Sequence, residues 1–311
     1  MAQPAFVGTS PRESDGVLDV PLVPAGRAPG EWLLLGLARS LALFPWRARA
    51  AFGAFAAWFA GTLLRVRRAH VEACLVRAGL DPRAARGMYG SLGAGLIELL
   101  WSANRRTDIS PWVTFDEAAR RSLDDIRQRR RGVVIAASHT GNWDLAACAV
   151  ARELPLVVVT KRLRVRFLDA FWQRTRAARG VRLVEPRGAL RSAHSQLQKG
   201  GAVAMMLDQV PARRRHGVRG SFLGATAWLD KTPATVAARS GAPLLVAAGR
   251  RLPNGTHVIS TLATFEPPAR ADAAWIEATT REATAALERF ICAHPTSWLW
   301  LHRRWKEPPL G

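Results

Sequence analysis

Short apolar segments alternate with helix-like segments between residues 132 and 250, and this alternation constrains the fold more than any other feature. The apolar segments are 132–139, 154–161, 181–185, 201–207 and 243–250. The helix-like segments between them are 142–153, 166–179, 189–199 and 233–240. A continuous apolar run bounded by glycine, such as GVVIAASH at 132–139, is typical of a strand buried on both faces. Strands that alternate with helices form a largely parallel sheet, so the sequence predicts an α/β fold.

The flanking segments refine this prediction. Asn254-Gly255 separates two β-prone runs, LLVAAGRRL and THVISTLATF, which is a strong hairpin signal. Because a hairpin makes one strand antiparallel, we expect a mixed β-sheet flanked by helices. Further helices are predicted at 84–104, 116–131 and 272–293. Gly90, Gly93 and Gly95 in the first of these should let another helix approach closely.

The first 68 residues differ from this pattern. Residues 1–30 are rich in proline and glycine and lack the charged start and apolar core of a signal peptide, so we interpret them as a disordered arm. Two apolar stretches follow at 32–46 and 50–64, separated by Pro45 and two arginines. Each is shorter than the roughly 20 apolar residues that a membrane-spanning helix needs. A membrane attachment and a pair of core helices both agree with these lengths.

Aromatic and basic residues in this region favour the membrane interpretation. They resemble an interfacial anchor and comprise Trp32, Trp46, Trp58, Arg65, Arg67 and Arg68. We therefore predict three parts: a disordered arm at 1–30, an apolar helical membrane-anchor segment at 31–68, and an α/β domain at 69–308.

The charge balance narrows the classes of partner. The chain of 311 residues has a formal net charge of +21, which favours a polyanionic partner such as an anionic membrane, an acidic protein or nucleic acid. None of the usual nucleic-acid-binding motifs is present, so nucleic acid is not the expected partner. The three cysteines, Cys74, Cys148 and Cys292, are far apart and form no C-x-x-C pair, which argues against a disulfide framework and a zinc knuckle.

The segment SHTGNWDLA at 138–146 carries the most distinctive chemistry. His139 ends a predicted strand, where open α/β sheets present ligand-binding groups, and Asp144 lies five residues later in the next helix. A strand–turn–helix with Gly141 in the turn can bring the two side chains together. A carboxylate on one imidazole nitrogen fixes the tautomer and leaves the other nitrogen to accept a proton. His139 and Asp144 are therefore the predicted catalytic residues, and a structural histidine is the alternative.

The substrate is the expected source of the proton that His139 accepts. The chain has no G-x-S-x-G elbow, and Ser138 should point to the opposite face of the strand from His139. Cys148 lies in the apolar stretch LAACAV and is interpreted as a core residue. With no protein nucleophile evident, the histidine is expected to activate a substrate hydroxyl.

Five segments extend this interpretation beyond the His139 region. They are HTGNWD at 139–144, LDQVP at 207–211, SFLGATA at 221–227, TPATVAARSGAPLLVAAGRR at 232–251 and LERFICAHPTSWLWLHRRWK at 287–306. Together they resemble the bacterial lipid A late acyltransferases, the lauroyl and myristoyl transferases of lipopolysaccharide assembly. The resemblance covers about residues 31–308.

The resemblance implies an O-acyltransferase at the cytoplasmic face of the bacterial inner membrane. Such an enzyme moves a fatty acyl chain from acyl carrier protein to a hydroxyl of a glycolipid acceptor, and no cofactor or metal ion is expected. His139 matches the catalytic histidine of the family and Asp144 its acidic partner. Asp208 and Gln209 match the Asp-Gln pair that follows an apolar strand in the family.

Arginines are the other predicted substrate-binding groups. Arg162, Arg164 and Arg166 follow the second strand and could stabilise a developing oxyanion or bind an anionic head group. Arg303, in the C-terminal block, could contact a phosphate group. A solvated basic surface is the alternative for these positions.

Two departures from the family pattern leave the acceptor open. Val165-Arg166 stands where the family often has Asn-Pro, and the predicted loop at 212–219 is unusually basic. The acceptor could be a lipid A precursor, a mannosylated phosphoinositide or another glycolipid. A phospholipase or thioesterase would use the same chemistry with water as acceptor. A basic, non-catalytic membrane-binding or nucleic-acid-binding protein is the remaining alternative.

Overall fold

The computed structural model describes residues 26–45, 48–104, 107–129, 131–186 and 189–309. Residues 1–25 of the predicted arm, and Trp46 of the predicted anchor, lie outside the described residues.

The described residues contain ten α-helices and nine strands. The helices are α1 (Pro29–Leu41), α2 (Arg49–Trp58), α3 (Arg68–Arg77), α4 (Ala84–Ser102), α5 (Glu117–Arg129), α6 (Trp143–Glu153), α7 (Arg166–Ala177), α8 (Ala189–Gln198), α9 (Thr232–Ser240) and α10 (Ala273–Ala293). The strands are β1 (Val113–Phe115), β2 (Val133–Ala137), β3 (Leu156–Val159), β4 (Val181–Val184), β5 (Ala202–Met206), β6 (Gly217–Phe222), β7 (Ala225–Asp230), β8 (Leu244–Arg251) and β9 (His257–Phe265).

Seven of these strands form one mixed sheet in the order β1-β9-β8-β2-β5-β3-β4, and β6 and β7 form a separate antiparallel hairpin. β2 pairs in parallel with both β5 and β8, and β9 runs antiparallel to β8 across the predicted Asn254-Gly255 turn. The predicted mixed α/β sheet is therefore confirmed.

The central strand β2 is covered by apolar layers on both faces. Val134 and Ala136 belong to one core cluster, whereas Val133 and Ile135 belong to the other. Two buried faces explain why the segment is uniformly apolar and does not alternate with polar residues. Because β2 ends at Ala137, the residues that follow it lie at the carboxyl edge of the parallel strands.

The hairpin β6–β7 and the short strand β1 were not predicted. The predicted loop at 212–219 extends into β6, which begins at Gly217. The turn between β6 and β7 has Leu223 at a φ of 50° and Gly224 at 75°. A leucine rarely adopts a positive φ, so the turn carries no familiar two-residue signal such as Asn-Gly.

Close packing of α2 on α4 depends on glycine. A β-carbon at Gly53 would lie 2.7 Å from the α-carbon of Ala94, and one at Gly93 would collide with the carbonyl oxygen of Gly53. The prediction of a close helix approach is thus confirmed at Gly93. Gly90, by contrast, has nothing within 4 Å of its position for a β-carbon.

The N-terminal helices expose large apolar side chains. Trp32 and Leu33 on α1 are 55% and 75% exposed, and Phe55 and Trp58 on α2 are 64% and 50% exposed. Among the described residues, no helix has the length and apolar character needed to cross a membrane.

A buried carboxylate joins α4 to the hairpin β8–β9 and to the start of α6. Glu98 accepts hydrogen bonds from Arg251 Nη2 (2.8 Å), His257 Nε2 (2.9 Å) and Asn142 Nδ2 (2.9 Å). Arg49 Nε, from α2, lies 3.5 Å from Glu98 Oε1. Burial raises the pKa of Glu98, but the hydrogen bonds from His257 and Arg251 outweigh it and hold the pKa at about 2. The carboxylate therefore remains charged and links four elements.

We predict that Glu98→Ala lowers the free energy of unfolding by about 3–5 kcal/mol, because it leaves buried arginines without a counter-ion. Glu117→Ala is the control, since Glu117 is 83% exposed in its pair with Arg121 and its loss should cost no more than about 0.5 kcal/mol. Urea unfolding of the two variants and the wild type measures both values. Equal unfolding midpoints for the two variants would contradict the role assigned to Glu98.

Candidate active site

The parallel register of β2 and β5 brings His139 and Asp208 together. Ala137 at the end of β2 lies opposite Met206 at the end of β5. His139 and Asp208 each follow two residues later, so they occupy equivalent positions beyond the sheet edge. The backbone N–H of Leu207 donates to Ala137 O at 2.8 Å and continues the pairing between the strands.

The carboxylate of Asp208 binds His139 at two points. His139 Nδ1 lies 3.0 Å from Asp208 Oδ1 and 3.2 Å from Oδ2, and the backbone N–H of His139 donates to Oδ2 at 2.8 Å. The indole N–H of Trp298 donates to the same Oδ2 at 2.8 Å. Asp208 is only 1% exposed, so these donors replace the water that an ionised carboxylate would otherwise bind.

The electrostatics favour an ionised Asp208. Burial raises its pKa, but the charge and hydrogen bonds of His139 outweigh burial and hold the pKa well below the usual value. A carboxylate on Nδ1 selects the tautomer in which Nδ1 carries the proton, and Nε2 then has a free lone pair. The arrangement can therefore accept a proton at Nε2 and stabilise the imidazolium that results.

Asp144 has different partners from those the sequence indicated. Its carboxylate accepts hydrogen bonds from Trp172 Nε1 at 2.9 Å and Arg176 Nε at 2.6 Å, both from α7. No hydrogen bond joins Asp144 to His139, although both are described residues of the same cavity wall. The predicted pairing of His139 with Asp144 thus differs from the structure, in which Asp208 takes that place. Asn142 caps α6 through Leu145 N, and this cap sets Asp144 in the first helical turn.

The turn after His139 is fixed by the C-terminal block. Gly141 has a φ of 59°, and a β-carbon there would lie 2.9 Å from the backbone of Gly249. Its N–H donates to Ser297 O at 2.7 Å, and Leu299 N donates to His139 O at 3.0 Å. The WLWLHRRW segment therefore holds the histidine loop in position.

His302 packs against the catalytic candidate. Its ring centroid is 4.6 Å from that of His139, and its Nε2 is buried without a hydrogen-bond partner among the described residues. Burial, aided by the neighbouring His139, lowers the pKa of His302 to about 4. His302 is therefore neutral at pH 7. Sequence reasoning did not single out this residue, because a lone histidine in an aromatic segment carries no spacing signal.

His139, Asp208 and His302 also offer donor atoms that lie within 4.8 Å of one another. This is the one such group in the part of the chain that the structure describes, and two histidines with a carboxylate are a donor set that zinc accepts. In the structure, however, the Asp208 oxygens receive hydrogen bonds from His139 and Trp298. The observed arrangement is a hydrogen-bonded His–Asp pair.

A large cavity of about 1080 Å³ opens beside His139. One part of it is lined by apolar side chains of the sheet and of α6, among them Ile135, Leu156, Val158, Ala147 and Val150. Small residues on the strands, Ala137, Ala204, Ala247 and Gly249, also line the cavity. We call this apolar part of the cavity, which lies in the same cavity as His139, the apolar channel.

Basic side chains form another part of the cavity lining, which we call the basic rim. They are Lys161, Arg162, Arg176, Arg213, Arg215, Lys231 and Arg239. Of the residues predicted to bind substrate, Arg162 and Gln209 line the cavity. Arg164, Arg166 and Arg303 are exposed and do not line it. Arg176, Lys231 and Arg239 were missed, because isolated basic residues on helices or at their ends resemble ordinary surface charge.

Cys148 is confirmed as a core residue. It is 2% exposed, and burial, together with the nearby Asp144 charge, raises the pKa of its thiol to about 12. A neutral, buried thiol is a poor nucleophile.

An α/β sheet that ends in a buried His–Asp pair beside an apolar channel is an arrangement suited to acyl transfer. The family model of the bacterial lipid A biosynthesis acyltransferases matches residues 23–307. The chain belongs to this family and is an O-acyltransferase. The resemblance inferred from the sequence is confirmed.

A solved structure of another acyltransferase is also similar to this chain. The 1-acyl-sn-glycerophosphate (LPA) acyltransferase PlsC from Thermotoga maritima is similar in structure at 14% identity and a TM-score of 0.37, over 79% of this chain and 98% of that one. The comparison with curated proteins gave no match.

We predict that His302 makes stability fall between pH 6.5 and pH 4. The unfolded chain binds a proton on this histidine near pH 6.5, whereas the folded chain does so only near pH 4. The free energy of unfolding should therefore decrease by up to about 3 kcal/mol as the pH falls through this range. His302→Gln should flatten the decrease, whereas His194→Gln, at an exposed position on α8, should not. Urea unfolding at several pH values gives the slope of the unfolding free energy against pH for the wild type and the two variants. Equal slopes for all three proteins would show that His302 does not contribute.

Proposed function

We propose that this acyltransferase moves a fatty acyl chain from an acyl thioester to a hydroxyl of an anionic glycolipid. His139 is the general base, and Asp208 orients it. The single observation that carries this proposal is the His139–Asp208 pair where the apolar channel meets the basic rim. Asp144 is a positioning residue in this scheme, because it acts through Arg176.

The reaction follows from the free nitrogen of His139. Nε2 takes the proton of the acceptor hydroxyl as the oxygen attacks the thioester carbonyl, since a free hydroxyl is a weak nucleophile at pH 7. A C–O bond forms, and the carbonyl electrons pass to oxygen. When the tetrahedral intermediate collapses, the C–S bond breaks, and the thiolate leaves with the proton that the imidazolium returns. The products are an ester and a free thiol, and His139 is restored.

The apolar channel is the proposed acyl site. Its lining includes Ile135 of β2, which lies four residues before His139, roughly 13 Å away at the rise of a strand. An acyl chain of medium length would span this distance. Burial of the chain here would place its thioester carbonyl next to His139.

The basic rim supports anionic substrates. Lys161, Arg162, Arg176 and Lys231 lie close enough to line one cavity with His139, and arginine is well suited to binding phosphate. A lipid A precursor is the proposed acceptor, in keeping with the family. The proposed donor is the thioester of acyl carrier protein, an acidic protein that a strongly basic chain would attract.

The exposed apolar side chains of α1 and α2 support attachment to a membrane. Trp32, Leu33, Phe55 and Trp58 would bury their apolar surface at the lipid interface. Such an attachment would bring the site to its lipid acceptor. We propose the cytoplasmic face of the bacterial inner membrane as the location, because acyl carrier protein is a soluble partner of the cytoplasm.

A second acceptor class fits the same rim. Any phosphorylated glycolipid, such as a mannosylated phosphoinositide, presents similar charges to Arg213, Arg215 and Arg239. Mass spectrometry of the products that the purified enzyme makes from each acceptor shows which of the two classes it acylates.

We predict different kinetic effects for the three site residues. His139→Ala should lower kcat by about 10²–10⁴, because the general base is lost. Asp208→Asn should lower kcat by a similar factor, because an amide no longer selects the correct tautomer. Asp144→Asn should mainly raise KM, because it releases Arg176 from its ion pair. Initial rates of ester formation, followed by mass spectrometry, give kcat and KM for each variant. The proposal is wrong if His139→Ala retains the wild-type rate. The assignment of Asp208 as the residue that orients His139 is wrong if Asp144→Asn abolishes kcat and Asp208→Asn does not.

We predict that the thioester of acyl carrier protein supports faster transfer than the coenzyme A thioester of the same chain. The advantage should shrink with added salt, because electrostatic attraction between the two proteins is screened. Initial rates with both donors at two salt concentrations test this. Equal or better use of the coenzyme A thioester at each salt concentration would reject the donor, while the role of His139 would stand.

A further inference from the structure

Residues 161–168, KRLRVRFL, form an unusual exposed segment between β3 and the first turn of α7. All eight residues are exposed, and they contain four basic and four apolar side chains but no acid. The apolar members, Leu163, Val165, Phe167 and Leu168, are 44%, 46%, 36% and 37% exposed. Exposed apolar residues are common singly, but a contiguous group is more typical of a binding surface.

Buried groups hold the segment in this conformation. The backbone N–H of Leu163 donates to Asp169 Oδ1 at 2.8 Å, and Asp169 is only 4% exposed. Gln173 Nε2 donates to the same oxygen at 3.2 Å. At the start of the segment, Thr160 N donates to Val184 O at 2.9 Å. The exposure of the apolar side chains is therefore a consequence of the fold.

The segment adjoins the N-terminal helix. A β-carbon at Gly30 of α1 would lie 2.7 Å from the ring of Phe167. Arg174 of α7 and Glu31 of α1 form an ion pair at 2.8 Å, and their side chains are 19% and 2% exposed. The segment therefore adjoins α1, which exposes Trp32 and Leu33 and belongs to the apolar surface already proposed to meet the membrane.

The same segment forms part of the rim of the catalytic cavity. Lys161, Arg162 and Leu163 line the cavity together with His139. Arg162 Nε is paired with Glu185 at 2.6 Å, whereas Arg164 and Arg166 lie farther along the exposed segment and away from the cavity lining. The segment thus joins a surface of mixed apolar and basic character directly to the active site.

We propose that residues 161–168 are a second membrane-contacting segment, which inserts its apolar side chains into the interface of an anionic bilayer. Cations that alternate with apolar residues match this partner, because the interface offers lipid phosphates and acyl chains within a few ångströms of each other. A lipid acceptor would then pass from the bilayer to the rim without crossing water. This last consequence rests on the proposed function, but the membrane contact itself does not.

A site-specific fluorescent label tests the contact. Cys74 and Cys148 are buried and Cys292 is exposed, so the full chain with Cys292→Ser provides a suitable background. An environment-sensitive fluorophore is attached after Val165→Cys in one protein and after Gln128→Cys in a control. Gln128 is exposed on α5, which packs on β9 toward the opposite edge of the sheet. Far-UV circular dichroism confirms that both labelled proteins are folded.

The labelled proteins are mixed with vesicles of phosphatidylglycerol and phosphatidylethanolamine, with or without a quencher on the lipid chains. We expect a blue shift and severalfold stronger quenching for the label at position 165, and neither change at position 128. The double variant Arg164→Gln, Arg166→Gln should weaken vesicle binding by about fivefold per charge. The matched variant Arg120→Gln, Arg121→Gln on α5 should change binding less than twofold.

The outcomes separate this inference from the proposed function. If the protein binds vesicles but the label at position 165 behaves like that at position 128, the inference is overturned and attachment through α1 and α2 stands. If the protein does not bind vesicles, both proposals of membrane contact fail. Neither result depends on turnover, so the kinetic test of His139 remains independent. Equal losses of binding in the two double arginine variants would also overturn the inference.

Discussion

The buried carboxylate of Asp208 is the interaction on which the site depends. It accepts hydrogen bonds from the backbone and the Nδ1 of His139 and from the indole of Trp298. These donors come from the end of β2 and from the C-terminal block, which are far apart in the chain. An ionised group that is 1% exposed needs each of these donors, since water cannot replace them. The carboxylate therefore fixes the tautomer of the histidine and joins the C-terminal segment to the sheet edge.

The charged side chains of this protein include two groups: buried ion pairs that hold elements of the fold together, and an exposed basic surface that is proposed to bind substrate. Glu98, Glu31 and Asp144 each bind arginine in places that water hardly reaches. These pairs hold α4 on the sheet, α1 on α7 and α7 on α6, respectively. Other basic side chains, part of a net charge of +21, lie at the cavity rim and on the segment 161–168. The contrast explains how one arginine-rich composition serves both packing and the proposed recognition of anionic lipids.

Much of the fold was predictable because the local pattern and the tertiary environment agree. The run GVVIAASH became the central strand, and Asn254-Gly255 became a hairpin turn between β8 and β9. The hairpin β6–β7 was missed because Leu223 occupies a positive-φ position without the usual turn residue. In the site, His139 was found from its place at a strand end. His302 and Arg176 were missed because their roles depend on contacts with residues that are distant in the sequence.

By itself, the sequence determined the alternation of elements, the mixed sheet, the position of His139 at a strand end and the membership of the acyltransferase family. Only the tertiary structure decided which acid binds the histidine. Asp144 is five residues from His139, but its carboxylate pairs with Arg176 of α7. Asp208 is 69 residues away and lies on Nδ1, because β2 and β5 are neighbours in matching register. Strand order and register result from packing of the whole sheet, and no local spacing of residues reports them.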